Sequence, residues 1–144
     1  MCVVQRDEFQ TAFWSTKRAM AEAAEAAFNQ HGVRAGQQFI LERLWETDGQ
    51  TPGELAKALG LATPTVTRTA TRMETAGLLH REAHPSDARL VRLCLTDRGR
   101  RLEKTLEQER RRLTERALRG LTDDEREQLV QLLETIRTNL GERK

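Results

Sequence analysis

The sequence predicts a mainly α fold with a small β-hairpin wing, and three observations point there. Of 144 residues, 38% are hydrophobic and 32% charged, with no Tyr and only three Pro, a composition suited to packed amphipathic helices. Apolar residues recur at helical spacing up to about residue 30 and again beyond residue 100. Between these stretches, two short apolar runs flank the loop Ala83-His84-Pro85-Ser86-Asp87-Ala88-Arg89, where the helical period stops. The length fits one compact domain over 1–144 rather than two enzyme lobes. No apolar stretch approaches a membrane span and Met1 is followed by no leader pattern, so a cytoplasmic protein without a membrane partner is expected.

The elements follow in order. A first helix is expected from Asp7 to Gln30, with Phe9, Phe13, Met20, Ala23, Ala24, Ala27 and Phe28 on its apolar side and Gly32 as its stop. A second covers Gln37 to Thr47, burying Phe39, Ile40, Leu44 and Trp45, before the Asp48-Gly49 break. Thr51, Pro52 and Glu54 have the spacing of an N-cap, a first-turn proline and a capping-box glutamate, and they start a short helix that ends at Leu59-Gly60. Thr63-Pro64 repeats the cap-and-proline pattern and leads a helix to Ala76, with Gly77 beyond it. Val66, Ala70 and Met73 form its narrow apolar stripe; Thr65, Arg68, Thr69 and Arg72 lie on the opposite side. Leu78–Glu82 and Leu90–Leu95 are the expected strands, and pattern alone leaves the inward face of the second one open. Thr96 caps a long helix that runs through Gly99 to about Arg119, carrying Leu102, Leu106, Leu113, Ala117 and Leu118. Thr122 with Asp123, Asp124 and Glu125 opens the last helix, whose expected buried stripe is Leu129, Leu132, Leu133, Ile136 and Leu140.

Net charge is only +2, which excludes an overall basic coat. Its distribution is uneven. Residues 1–59 sum to −2 and residues 102–144 to zero, whereas residues 60–101 reach +4. All eight cations of that middle third are Arg, whose planar fork suits phosphates and guanine edges. The same third holds the order helix, tight turn, helix, hairpin, which is the order of a winged helix-turn-helix. A helix fits the major groove, where each base pair shows its own hydrogen-bond pattern, and small or forked polar side chains near its N-terminus reach the base edges. An Arg at a loop tip, here Arg89, suits the negative potential of a narrow minor groove.

Several segments together resemble the MarR family of bacterial transcription regulators: Gly53-Glu54-Leu55-Ala56-Lys57-Ala58-Leu59-Gly60, Thr63-Pro64-Thr65-Val66-Thr67-Arg68, Gly77-Leu78-Leu79, Asp87-Ala88-Arg89, Leu95-Thr96-Asp97-Arg98-Gly99 and Leu121-Thr122-Asp123-Asp124-Glu125-Arg126. They span nearly the whole chain in the family's order. The resemblance implies a winged helix-turn-helix lobe at about 36–99, with dimerisation helices at about 6–31 and 100–140. It implies a homodimeric, ligand-responsive repressor that binds a pseudo-palindromic operator in double-stranded DNA. By the same likeness Thr63, Pro64, Thr65, Thr67, Arg68 and Arg72 fall where the family's recognition helix meets DNA. Arg89 matches the wing residue of the minor groove, and Asp87 the residue that orients a neighbouring Arg, for which Arg81 and Arg92 are the candidates.

Other readings are weaker. Phe13, Trp14, His31, Phe39 and Trp45 are candidates for the cleft in which family members bind small aromatic or amphipathic effectors, although aromatics at helical spacing usually belong to a core. Cys2 suggests a thiol-based oxidant sensor, a branch of the family that pairs its cysteine with tyrosines this chain lacks. Cys94 reads as a small buried residue. His31, His80 and His84 show no ligand spacing, so no metal is expected. No catalytic triad order, phosphate loop or metalloprotease motif occurs, so neither an enzyme nor a cofactor is expected. The rival from outside regulation is a helical protein-interaction module that does not read DNA; it would have no need of Arg68, Arg72 and Arg89 on neighbouring exposed positions.

Overall fold

The computed structural model describes residues 2–141, with side chains from residue 8 onward. The side chain of Cys2, and with it the oxidant-sensor reading, lies outside the described residues. The element order is α1 (Cys2–Asn29), α2 (Gln37–Glu46), α3 (Pro52–Leu59), α4 (Thr63–Thr75), β1 (Leu79–Ala83), β2 (Val91–Leu95), α5 (Asp97–Ala117) and α6 (Asp123–Asn139). The chain divides into two compact units, Met1–Arg110 and Arg111–Lys144.

The first unit has one hydrophobic core, in which Ile40, Leu41 and Leu44 of α2, Leu55 of α3, Val66 and Met73 of α4, and Leu78 and Leu93 of the hairpin region are fully buried. Burying each such side chain favours folding by roughly 1.5–3 kcal/mol before conformational entropy is counted. Phe28 is the one α1 aromatic in this core. Phe9 and Met20 of the predicted α1 stripe are exposed, as is Trp14, whereas Ala24 and Ala27 pack against this core.

Two near-identical sequence signals have different outcomes. Thr51 is the N-cap of α3, its hydroxyl oxygen accepting from the Glu54 N–H at 3.1 Å. Thr63 is not the cap of α4: that position belongs to Ala62, which has no side-chain acceptor, and Thr63 is already helical. The Ala62 carbonyl receives the first bonds of the helix, from Thr65 N and Val66 N at 3.0 and 3.2 Å. The N-terminus of α4 is therefore not sealed by a side chain. Between the two helices Gly60 takes the left-handed conformation, φ +67°, and Leu61 N closes back on Ala56 O at 2.9 Å, which makes the tight turn.

β1 and β2 pair antiparallel in the register Leu79↔Leu95, His80↔Cys94, Arg81↔Leu93, Glu82↔Arg92 and Ala83↔Val91. Leu78 does not join the hairpin as expected, because its N–H closes α4 on Met73 O. The open question of the second strand's inward face resolves to Leu93 and Leu95, with Leu90 and Val91 exposed. Leu93 N also donates to Gln50 O at 2.8 Å, an isolated bridge on the free edge of β2. Thr96 caps α5 as expected: its Oγ1 accepts from Gly99 N at 3.1 Å and donates to Gly77 O at 2.6 Å.

The second unit comprises the end of α5 and α6. Thr122 and Glu125 form a full capping box, with the Glu125 carboxylate accepting from Thr122 N at 2.9 Å and Thr122 Oγ1 accepting from Glu125 N at 3.2 Å. Hydrogen bonds from the Thr122 backbone N–H and the Thr122 side chain to the Glu125 carboxylate favour its charged form and lower its pKa. Arg126 ties the α5–α6 turn, bonding Glu115 Oε1 at 3.3 Å and Leu118 O at 3.2 Å. The expected burial of the α6 stripe is not met within one chain. Leu129, Leu132, Leu133 and Leu140 are 37%, 54%, 46% and 82% exposed, and α6 has no fully buried residue. The stripe is present at its predicted spacing, and its leucines stay exposed.

Candidate nucleic-acid interface

α4 turns Val66, Ala70 and Met73 into the core, each at most 1% exposed, and this fixes what faces out. Thr63, Pro64, Thr65, Thr67, Arg68 and Arg72 are all exposed. Arg68 and Arg72, four residues apart, stand one turn from each other on the outward face. Thr69 and Thr71 spend their hydroxyls on the carbonyls of Thr65 and Thr67, at 3.0 Å each, so their reach is local. Thr71 also accepts from Arg81 Nη2 at 2.7 Å, a link from α4 to β1 that no sequence signal announced.

The wing loop is held by its own hydrogen bonds, with His84 N donating to Leu90 O at 3.1 Å, Leu90 N to Asp87 O at 3.0 Å and Ser86 N to His84 Nδ1 at 3.1 Å. At its tip one Asp87 oxygen accepts both the backbone N–H and Nε of Arg89, at 3.0 and 3.1 Å, and the other accepts Nη2 at 3.1 Å. These bonds hold the Asp87 carboxyl below its ordinary range and raise the Arg89 guanidinium. The arginine that Asp87 orients is thus Arg89 itself, and neither Arg81 nor Arg92. Arg92 is taken by Glu82, its direct register partner, at 2.8 Å, and Arg81 by Thr71 and Glu74. Asp87 acts as a clamp: the Arg89 side chain remains 90% exposed while its direction is fixed.

Apart from Arg89, clamped by Asp87, and the exposed Arg101 of α5, the arginines of the middle third fall into two groups. Arg81, Arg92, Arg98 and Arg100 bind partners inside the lobe: Thr71 and Glu74, Glu82, the Ala76 carbonyl, and Asp48. Arg68 and Arg72 have no ion-pair partner among the described residues. Two unpaired cations on a hydroxyl-rich helix face, beside a hairpin that presents an oriented third, form a surface fit for a polyanion with a groove.

The five candidate effector residues occupy four separate places. Phe13 and Trp14 make an edge-to-face pair at 5.1 Å on α1, where Trp14 Nε1 donates to Gln10. His31 meets the Glu109 carboxylate at 3.1 Å. Trp45 Nε1 donates to Gly99 O at 2.9 Å, docking α2 on α5. Phe39 alone lines an apolar cleft of about 430 Å³, together with Met20, Ala24, Phe28 and Val33. Sequence reasoning had placed Met20, Ala24 and Phe28 only on a core stripe.

A second cluster was also missed. On the outer face of the hairpin, His80 and Cys94 are register partners, and Glu82 stands beside them with Oε1 3.0 Å from His80 Nε2 and Oε2 3.3 Å from Cys94 Sγ. Hydrogen bonds from His80, Cys94 and Arg92 pull the Glu82 carboxyl down to about 2, while burial and the Glu82 charge push the Cys94 thiol up to about 11.

Among the described residues no helix is long and apolar enough to cross a membrane. Residues 34–91 match the model of the MarR family. An uncharacterized HTH-type transcriptional regulator of Bacillus subtilis, YybA, is 26% identical over 123 residues, 85% of this chain and 82% of that protein. The fold is similar to that of the YusO protein from Bacillus subtilis, with a TM-score of 0.77 at 22% identity over 96% of this chain and 98% of the other. It is also similar to a Listeria monocytogenes protein assigned as a MarR family transcriptional regulator and solved in complex with 26mer DNA, at a TM-score of 0.72 and 22% identity over 91% and 87% of the two chains. The matched stretch holds α2, α3, α4, β1 and the whole wing loop, so residues 34–91 carry a domain that matches the MarR family.

Proposed function

We propose that this chain is a homodimeric repressor that reads a pseudo-palindromic operator with α4 in the major groove and the wing in the adjacent minor groove. The observation that carries the reading is the division of the arginines: Arg68 and Arg72 stand unpaired on the exposed face of α4, and Asp87 directs Arg89 outward at the wing tip. Thr63, Pro64, Thr65 and Thr67 complete the contact surface, and the unsealed α4 N-terminus offers backbone N–H groups to a phosphate. Two lobes related by a two-fold axis read half-sites about one helical turn apart, roughly 10–10.5 bp. Support for the dimer comes from the apolar side chains that one chain leaves in water, Phe9, Trp14 and Met20 of α1 and Leu129, Leu132 and Leu133 of α6.

The cleft around Phe39 suits a small apolar or aromatic effector, which releases DNA by binding more tightly to a dimer whose lobes are wrongly spaced. Gel shift against the DNA upstream of the protein's own gene tests the reading. Specific retardation is expected with wild type and loss of it with Arg68→Ala; equal affinity for scrambled DNA refutes sequence-specific regulation.

A further inference from the structure

We propose that His80, Glu82 and Cys94 form a divalent-metal site of the zinc class on the outer face of the hairpin, separate from the α4 surface. Three donor types, an imidazole nitrogen, a carboxylate oxygen and a sulfur, lie within 4.8 Å of one another. The observed Nε2–Oε1 and Sγ–Oε2 separations are 3.0 and 3.3 Å. Bonds of about 2.0–2.3 Å in a tetrahedron place ligand atoms about 3.3–3.7 Å apart, so side-chain rotations alone bring the three into range. The backbone supplies the alignment. His80 and Cys94 face each other across the ladder, and Glu82, two residues along β1, points to the same side of the sheet.

The donor set selects the ion. A thiolate with an imidazole and a single carboxylate suits Zn²⁺ or Co²⁺ and disfavours Mg²⁺ and Ca²⁺, which take oxygen. Thiolate and carboxylate neutralise the 2+ charge, and the thiol proton leaves to solvent as the Cys94–metal bond forms. Arg92, which donates to Glu82 Oε2 at 2.8 Å, remains to hold the carboxylate oxygen that does not bind metal. His80 and Glu82 are more than two-fifths exposed, which leaves an entry path and a fourth position for water. The bound ion would staple β1 to β2 between the core and the wing loop, stiffening the segment that carries Arg89.

Titration of the purified full-length protein with Zn²⁺, and separately with Co²⁺ as a chromophore, tests the site without recourse to DNA. One equivalent per chain is expected, with a thiolate-to-Co²⁺ charge-transfer band that survives Cys2→Ser and disappears in Cys94→Ser. His80→Ala, at an exposed position that leaves the core intact, should weaken Zn²⁺ binding at least tenfold, with Glu82→Gln in the same direction. Absence of saturable binding overturns the proposal, as does a band lost in Cys2→Ser. If Cys94→Ser fails to fold, His80→Ala decides, because unchanged affinity there is equally fatal.

Discussion

Gly99 sits in the first turns of α5, where helix propensity alone favours its replacement by Ala by about 0.8–1.0 kcal/mol. The structure predicts the opposite sign. A Cβ at Gly99 would fall inside van der Waals contact of the Leu78 carbonyl oxygen and 3.2 Å from Leu95 Cδ2, and the first of these is backbone that cannot rotate away. To make room, α5 must retreat from the α4–β1 turn in an interior packed at crystal density. Such overpacking costs about 1–3 kcal/mol. The retreat also strains two bonds at the same spot, Trp45 Nε1 to Gly99 O at 2.9 Å and Thr96 N to Leu78 O at 3.1 Å, each worth about 1 kcal/mol. Offset by propensity, the net loss is about 1–3 kcal/mol, a fall in Tm of about 3–5 °C per kcal/mol for a chain of this size. Gly53→Ala is the internal control. Gly53 is helical and exposed, and its added Cβ would meet only Thr51 Oγ1 at 3.9 Å, so the same chemical change should stabilise by about 0.4–1 kcal/mol. Urea unfolding at fixed protomer concentration gives both numbers, with midpoints moving in opposite directions and slopes unchanged. A Gly99→Ala protein as stable as wild type, or more so, refutes the close-approach argument.

Three further outcomes are expected. Arg89→Ala should weaken operator binding and reduce the slope of log K against log salt by about 0.9 per lobe, read from gel shifts at several salt concentrations; an unchanged slope removes Arg89 from the contacts. Thr122→Ala should cost about 0.5–2 kcal/mol in denaturant titration. Because the Glu125 pKa is lowered in the folded chain, its contribution is complete above its ordinary value of 4.5 and is lost as pH falls through the lower folded value; in Thr122→Ala that acid-dependent part should shrink. Leu132→Asp combined with Leu133→Asp places charges on side chains that one protomer leaves exposed, so a monomer should remain folded while sedimentation shows the dimer dissociating. An intact dimer would exclude this face from the seam.

What the sequence made legible was local. Thr122 and Glu125 cap each other within four residues, and Thr51 caps α3 through the N–H of Glu54, so no distant contact was needed to read either helix start. The alternation of Val66, Ala70 and Met73 likewise gave the buried side of α4 and therefore its exposed side. Thr63-Pro64 misled because the same two letters serve a cap or a first turn. Which one applies depends on where the chain arrives from α3, and here Ala62 already accepts the first helical bonds. The register-dependent facts were out of reach for a related reason. Spacing along the chain cannot show that His80 lies opposite Cys94, or that Glu82 claims Arg92 and leaves Asp87 to Arg89. The α6 stripe was readable as a stripe, but a periodicity does not say which surface covers it.

The charge map shows how far the two levels differ in what they predict. Eight arginines in residues 60–101 suggest a broad basic surface. In the fold, however, Arg81, Arg92, Arg98 and Arg100 are held by Thr71 and Glu74, Glu82, the Ala76 carbonyl and Asp48, and so serve the lobe's own structure. Arg68, Arg72 and the oriented head of Arg89 are the cations of the proposed reading surface. Three cations delivered to the DNA correspond to a salt slope of about 2.7 per lobe at 0.9 each. A measured slope well above this would mean that arginines paired in the free protein, Arg92 and Arg100 foremost, leave their carboxylates for DNA. In that case Glu82→Gln, which releases Arg92 in advance, should tighten binding rather than weaken it.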